Sequence, residues 1–265
     1  MWEWLLPVFG FLIGIAAALT GVGGGIFIVP LLNLIYGFTM PSATGTSLAT
    51  IIIISIASTV NYVKQKRVYF KIGLILALAT APGAYAGSEL IKVPLIKAWL
   101  GPIFGVFLII VAAQMVAKAV STRSEERCAE KNPDFETTLL GNWKKLLMGF
   151  GLSFFGGVAS GLLGVGGGSI LVPILCYSLS FPIHFSIPTS MFIMIFTSIS
   201  GVTSHLQQGN VNLGYAIYLG VGSIFGAQVG AYASKKFSSR SLLLAFGVML
   251  IVASINMMLK SLNLI

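Results

Sequence analysis

Charge is what this chain has least of. Only 9% of its 265 residues are charged, and only seven are acidic, against roughly 25% charged in an ordinary soluble domain. With 56% hydrophobic residues and a mean hydropathy of +0.95, that deficit excludes a water-soluble fold and predicts a polytopic membrane protein. Metal-binding residue types are equally scarce. Two histidines and two cysteines, Cys128 and Cys176 far apart, give no metal-ligand pattern, so neither a metal nor a cofactor is expected. The predicted spans contain no Asp and no Arg, and Glu89 is their one acid. Paired-carboxylate catalysis and a Ser-His-acid triad therefore lack their parts, and no enzyme is expected. A GxxxxGK[ST] run is missing too, which argues against an ATP-driven pump on this chain. The net charge of +9 is explained by basic residues beside the spans rather than by a nucleic-acid face. The opening MWEWLLPVFG lacks a basic leader and a cleavage site; it reads as part of the protein, with Trp2 and Trp4 as interfacial anchors.

What the chain has in quantity is glycine, placed twice in one pattern. GVGGG at Gly21 to Gly25, followed by IFIVP, returns at Gly164 to Gly168 followed by SILVP, at an offset of 143 residues. Glycine runs are costly inside a helix, so each apolar first segment, about Leu5 to Phe38 and about Lys145 to Leu179, is expected to break there. Other matches hold the same offset: Thr46-Ser47 with Thr189-Ser190, Gln65 with Gln208, and Gly83/Gly87 with Gly226/Gly230. The chain thus reads as two homologous all-α repeats, 1–120 and 143–265, joined by a polar, cytoplasmic connector over 121–142. Each repeat has a glycine-broken first segment, re-entrant or discontinuous, followed by three transmembrane helices. Spans are expected near Ala43–Val63, Ile72–Leu90, Leu95–Ala119, Phe185–Gln207, Leu213–Ser234 and Ser241–Leu259. The GxxxG pairs are read as close helix packing.

Basic residues favour inversion of the two repeats. If each broken segment crosses the membrane fully, 11 Lys and Arg lie on the side of the 64–71 loop and 5 lie opposite. If each is re-entrant, the repeats are inverted, both termini face outward and the split becomes 13 against 3, closer to the positive-inside rule. Inversion also explains why the basic loop KQKRVYFK has an almost uncharged counterpart at Gln208 to Leu213.

With ionisable groups so rare, neutral polar groups in matching places are the candidate chemistry. The breaks at Gly21, Gly23, Gly24 and Gly25 and at Gly164, Gly166, Gly167 and Gly168 offer backbone N–H groups and positive helix ends that suit an anion. Thr46, Ser47, Thr189 and Ser190 add hydroxyls, which otherwise bond back to their own helix. Asn61 with Ser204, Tyr62 with His205, and Gln65 with Gln208 occupy equivalent positions. They are candidates for a gate or a coupling site, with His205 able to take a proton. The blander reading makes Tyr62 an interfacial anchor and His205 an exposed, satisfied side chain. Pro30 and Pro173 are expected to fix the helix after each break. The expected partners are a small anionic substrate, the lipid bilayer and a coupling ion, proton or sodium.

The duplicated G-x-G-G-G-x-x-x-x-P, here Gly21, Gly23, Gly24, Gly25 and Pro30, then Gly164, Gly166, Gly167, Gly168 and Pro173, is followed each time by Thr-Ser. In this it resembles the sulfite exporter TauE/SafE family of membrane permeases, over nearly the whole chain. The resemblance implies secondary transport of a small, often sulfur-containing anion such as sulfite, sulfoacetate or another organosulfonate across the cell inner membrane. It also implies that the breaks and Thr-Ser pairs form the site. The repeats differ at Thr44-Gly45 against Ile187-Pro188, so their contributions need not be equal. An anion channel with the breaks as filter is the alternative expectation.

Overall fold

A computed structural model describes residues 3–120, 142–233 and, near the end of the chain, 248, 250–257 and 259. The connector apart from Asn142, Trp2, Cys128 and part of the span expected near Ser241–Leu259 lie outside the described residues. After a short 3-10 turn, Glu3–Leu5, come α1 (Leu6–Thr20) and α2 (Gly25–Pro30), then α3 (Met40–Lys64), α4 (Phe70–Leu90) and α5 (Pro94–Val120). The second series is α6 (Trp143–Leu163), α7 (Gly168–Pro173), α8 (Ile183–Gln207) and α9 (Leu213–Ala233). Among the described residues there is no strand, and six helices are long and apolar enough to cross a membrane: α3, α4, α5, α6, α8 and α9.

Local chemistry sets the helix ends. Thr39 caps α3 by accepting from the Ser42 N–H at 3.4 Å, and Pro41 occupies the first turn, where its missing N–H costs nothing. Asn142 caps α6 by accepting from the Lys145 N–H at 3.3 Å. Pro30 and Pro173 each stand last in a six-residue helix that continues as a wider π-type turn, Leu31–Ile35 and Ile174–Ser178. A proline withdraws one i→i−4 bond from the ladder, and the widened turn follows directly on that loss. One difference separates the halves: α6 has 21 residues where α1 has 15.

Contacts at the helix ends fix relative direction. The Thr46 hydroxyl, near the start of α3, accepts from the Asn212 N–H just before α9, and Gln65, at the end of α3, donates to the Ala231 carbonyl near the end of α9. Hence α3 and α9 run the same way. Equivalently, Thr189 accepts from the Tyr69 N–H and Gln208 donates to the Ser88 carbonyl, so α8 runs with α4. Between α3 and α8 the pairing is reversed. Gly45 packs on Asn210 and His205, while Arg67, just past α3, bonds to His184 at the start of α8. These two equivalent helices are antiparallel.

Glycine stripes bring α4 against α6 and α9 against α1. A methyl at Gly83 would stand 2.4 Å from the Phe154 carbonyl oxygen and one at Gly87 2.0 Å from that of Val158. At Gly226 and Gly230 the corresponding distances, to Phe11 and Ile15, are 2.0 and 2.6 Å. No side chain fits such gaps, and in a membrane this backbone proximity is a main source of helix association. Gly226→Val is therefore expected to destabilise the protein by about 1 to 3 kcal/mol, read as a lowered Tm in detergent. Gly151→Ala, which meets nothing within 4 Å, should leave Tm unchanged or slightly raised.

Candidate functional site

Both helix breaks are made of left-handed glycine. Gly21, Gly23 and Gly24 have φ of 77°, 84° and 84°, and Gly164, Gly166 and Gly167 have 73°, 79° and 88°, a region in which a β-carbon is strained. The Gly21 N–H closes α1 on the Ala17 carbonyl at 2.9 Å, and the Gly164 N–H closes α6 on the Ser160 carbonyl at 2.8 Å. New helices start three residues later, with the Gly24 carbonyl accepting from Phe27 and Ile28 and the Gly167 carbonyl from Ile170 and Leu171. The first N–H groups of α2 and α7 consequently have no intrahelical acceptor.

The breaks are placed back to back. A methyl at Gly25 would lie 2.4 Å from the Gly164 oxygen, and one at Gly168 2.2 Å from the Gly21 oxygen. Ile51 and Met194, equivalent residues near the middles of α3 and α8, close the space beside Gly23 and Gly166. All ten residues of the two GVGGG runs are buried. Sequence reasoning missed Ile51 and Met194 because they differ in type, although they share the 143-residue offset of the glycines.

Each Thr-Ser pair reaches the other half. Ser47 donates to the Gly164 carbonyl at 2.7 Å, and Ser190 donates to the Gly21 carbonyl at 3.2 Å and to Ile187 at 2.8 Å. Thr46 and Thr189 accept backbone N–H groups from Asn212 and Tyr69 at 3.0 and 3.3 Å. The Ser47 proton is thus spent on a break carbonyl, while the single Ser190 proton is shared between the Gly21 carbonyl and, at shorter range, the Ile187 carbonyl of its own helix. The serines' part in the site is to hold one half's break against the other half's helix.

The paired gate candidates sit lower on the same helices. Tyr62 is fully buried and donates to the Ala18 carbonyl; His205, also fully buried, places Nε2 3.2 Å from the Gly161 carbonyl. Burial overturns the interfacial reading of Tyr62 and the exposed reading of His205. A carbonyl facing Nε2 requires the proton there, which leaves Nδ1 as a bare acceptor with no partner among the described residues. Asn61 donates to Gln228. Ser204 donates to Glu89 at 2.8 Å and accepts from Gln208 at 2.9 Å, while Glu89 pairs with Lys92 at 2.6 Å. Among the described residues no group of three or more His, Cys, Asp and Glu is placed to hold a metal.

Comparison with known proteins gives one answer. The family model described as sulfite exporter TauE/SafE matches residues 6–257. A Bacillus subtilis protein named "Probable membrane transporter protein YunE" is 32% identical over 94% of this chain and 94% of its own length. Proteins with the same descriptive name from Haemophilus influenzae and Methanocaldococcus jannaschii are 30% and 28% identical, covering 95% and 96% of this chain and 96% and 95% of theirs. No solved structure matches the chain.

The serine bonds define the next measurement. Ser47→Ala and Ser190→Ala each leave a break carbonyl without its donor, so each should lower stability by about 0.5 to 1.5 kcal/mol in detergent unfolding. A double variant with a summed loss is expected if the two bonds act independently.

Proposed function

The chain belongs to the sulfite exporter TauE/SafE family, and from that premise we propose that it is a secondary transporter moving a small anion by alternating access. The carrying observation is the meeting of two glycine breaks, buried beside Ile51 and Met194 halfway along α3 and α8. Irregular backbone at that depth is tolerated where protein or a watery cavity satisfies it. Two such breaks from repeated halves are the arrangement in which transporters hold substrate. No basic side chain comes from the breaks themselves, so N–H and O–H donors supply the recognition. Such donors suit a singly or doubly charged oxyanion, and the family points to a sulfur-containing one such as sulfite, sulfoacetate or another organosulfonate.

Inverted repeats are supported by the antiparallel run of α3 and α8. Lys64, Lys66, Arg67 and Lys71 then stand at one face of the molecule. Lys144 and Lys145 join them, because α6 packs along α4 in the same direction; Lys92 and Lys97 stand at the other face. By the positive-inside rule the first face is cytoplasmic, in the cell inner membrane. For coupling, the proton is favoured over sodium. His205 Nδ1 is a buried acceptor without a partner among the described residues, whereas the Gly21 and Gly164 carbonyls already accept from serines.

Purified protein in liposomes should take up labelled sulfite or an organosulfonate with saturation kinetics, and Gly24→Leu and Gly167→Leu should abolish uptake while the protein still inserts. Ohmic single-protein currents would replace the carrier by a channel, and full uptake by both variants would remove the breaks from the mechanism. For sidedness, Asn210→Cys should react with an impermeant thiol reagent from outside the cell and Lys66→Cys only after permeabilisation. The reverse pattern would sink the assigned orientation.

A further inference from the structure

The two breaks share a backbone and differ in the polar groups around it. At the first break Thr20 accepts from the Val22 N–H at 3.4 Å and donates to the Ala16 carbonyl at 2.8 Å, so the loop caps itself. Leu163 stands where Thr20 would be at the second break, and among the described residues the Val165 N–H gains no such cap. Three residues at the second break, Ser160, Ser169 and Thr44, carry buried hydroxyls that have no hydrogen-bond partner among the described residues. Ser160 and Thr44 are fully buried and Ser169 is 6% exposed. Ser160 lies one turn before Gly164, and its Oγ stands 3.6 Å from the place a β-carbon would take on Gly167. Ser169 is the second residue of α7. Thr44, on α3, packs its methyl and backbone against Gly164. Their counterparts at the first break are Ala17, Ile26 and Ile187, all apolar.

An unsatisfied buried hydroxyl costs free energy. A group of them from three different segments around one helix start is explained by something that accepts from all of them. We propose that the substrate is bound on one side only, at the second break, where Ser160, Ser169 and Thr44 donate to an anion bearing three oxygens at one end, while the first break is a closed structural mirror. This rests on the anion-carrier reading above and names its binding residues. The ligand class is that of the carrier reading above, and a set of three hydroxyl donors suits an –SO3 head better than a carboxylate, which presents two oxygens.

The test is ligand-dependent thermal stabilisation of the purified full-length protein, titrated with sulfite, ethanesulfonate and acetate. Wild type should be stabilised by sulfite and ethanesulfonate more strongly than by acetate. Ser160→Ala, Ser169→Ala and Thr44→Val should each weaken the apparent Kd about tenfold or more, since each removes a donor to a charged group. Without ligand the same variants should match or exceed wild-type Tm, because each deletes an unsatisfied polar group; a purely structural role predicts the opposite. At the first break, Thr20→Val should lower Tm without ligand and leave the Kd unchanged. Ser153→Ala and Ser198→Ala, at two other buried hydroxyls without a partner among the described residues, should also leave the Kd unchanged. Wild-type binding with an unaltered Kd in the three second-break variants would overturn the one-sided site and leave the carrier reading standing, as would an equal loss in Thr20→Val. No stabilisation of wild type by any of the three anions would overturn both.

Discussion

A chain that breaks its helices inside a bilayer must find partners for the backbone groups it frees, and that requirement organises this molecule. The Gly21 and Gly164 carbonyls end their helices in left-handed turns, where no intrahelical donor follows. Each is met by a serine of the opposite half, Ser190 and Ser47. Crossed in this way, neither break is satisfied by its own repeat alone. The crossing also sets the depth of the site: the serines lie in the longest described apolar helices apart from α5, and Ile51 and Met194, one turn further on, fill the centre. Glycine at Gly25 and Gly168 follows from the same crossing, since each approaches the carbonyl that the serine caps.

Much of this was legible before any coordinates. Low charge and high hydropathy gave a helical membrane protein. The 143-residue offset gave the repeat, the break positions and the Thr-Ser pairs, because a duplicated residue type leaves a visible match. What stayed hidden was carried by partners that do not match in type or by backbone atoms. Ile51 and Met194 are equivalent in place and unlike in chemistry. The acceptors of Ser47 and Ser190 are carbonyls, which every residue possesses, so no sequence pattern marks them. Tyr62 and His205 illustrate a third limit. A polar aromatic near a span end looks interfacial by position, yet both turn inward and bond to equivalent carbonyls, Ala18 and Gly161. Their burial depends on α1 and α6 ending beside them, which is a tertiary fact.

The departure from symmetry is as informative as the symmetry. A perfect twofold site would offer an anion two equal half-sites, and a small ligand cannot fill both at once when the breaks are in contact. In the one-sided site proposed above, the apolar Ala17, Ile26 and Ile187 remove that competition while leaving the first break's backbone intact as the surface on which the second is held. Thr20 completes the closure by accepting from the Val22 N–H, whose counterpart on Val165 has no such cap among the described residues.

The rocking proposed above needs two bodies, and glycine stripes and polar bonds group the helices across the repeat boundary. Glycine stripes join α1 to α9 and α6 to α4. Polar bonds then tie α3 to α9, through Asn61 and Gln228, Gln65 and Ala231, and Thr46 and Asn212. In the same way α8 is tied to α4, through Ser204 and Glu89, Gln208 and Ser88, and Thr197 and Thr80. These bonds group α1, α3 and α9 on one side and α4, α6 and α8 on the other, each group drawn from both repeats. At the breaks, the hydrogen bonds that cross between them among the described residues are Ser47 to Gly164 and Ser190 to Gly21; near one face Arg67 reaches His184. Beside these two hydroxyl bonds, each worth about 1 kcal/mol, α3 also packs on α8 across the same boundary, where Gly45 meets His205 and Gly201 meets Leu48. The boundary between the two groups of helices thus runs through both breaks and along the α3–α8 contact.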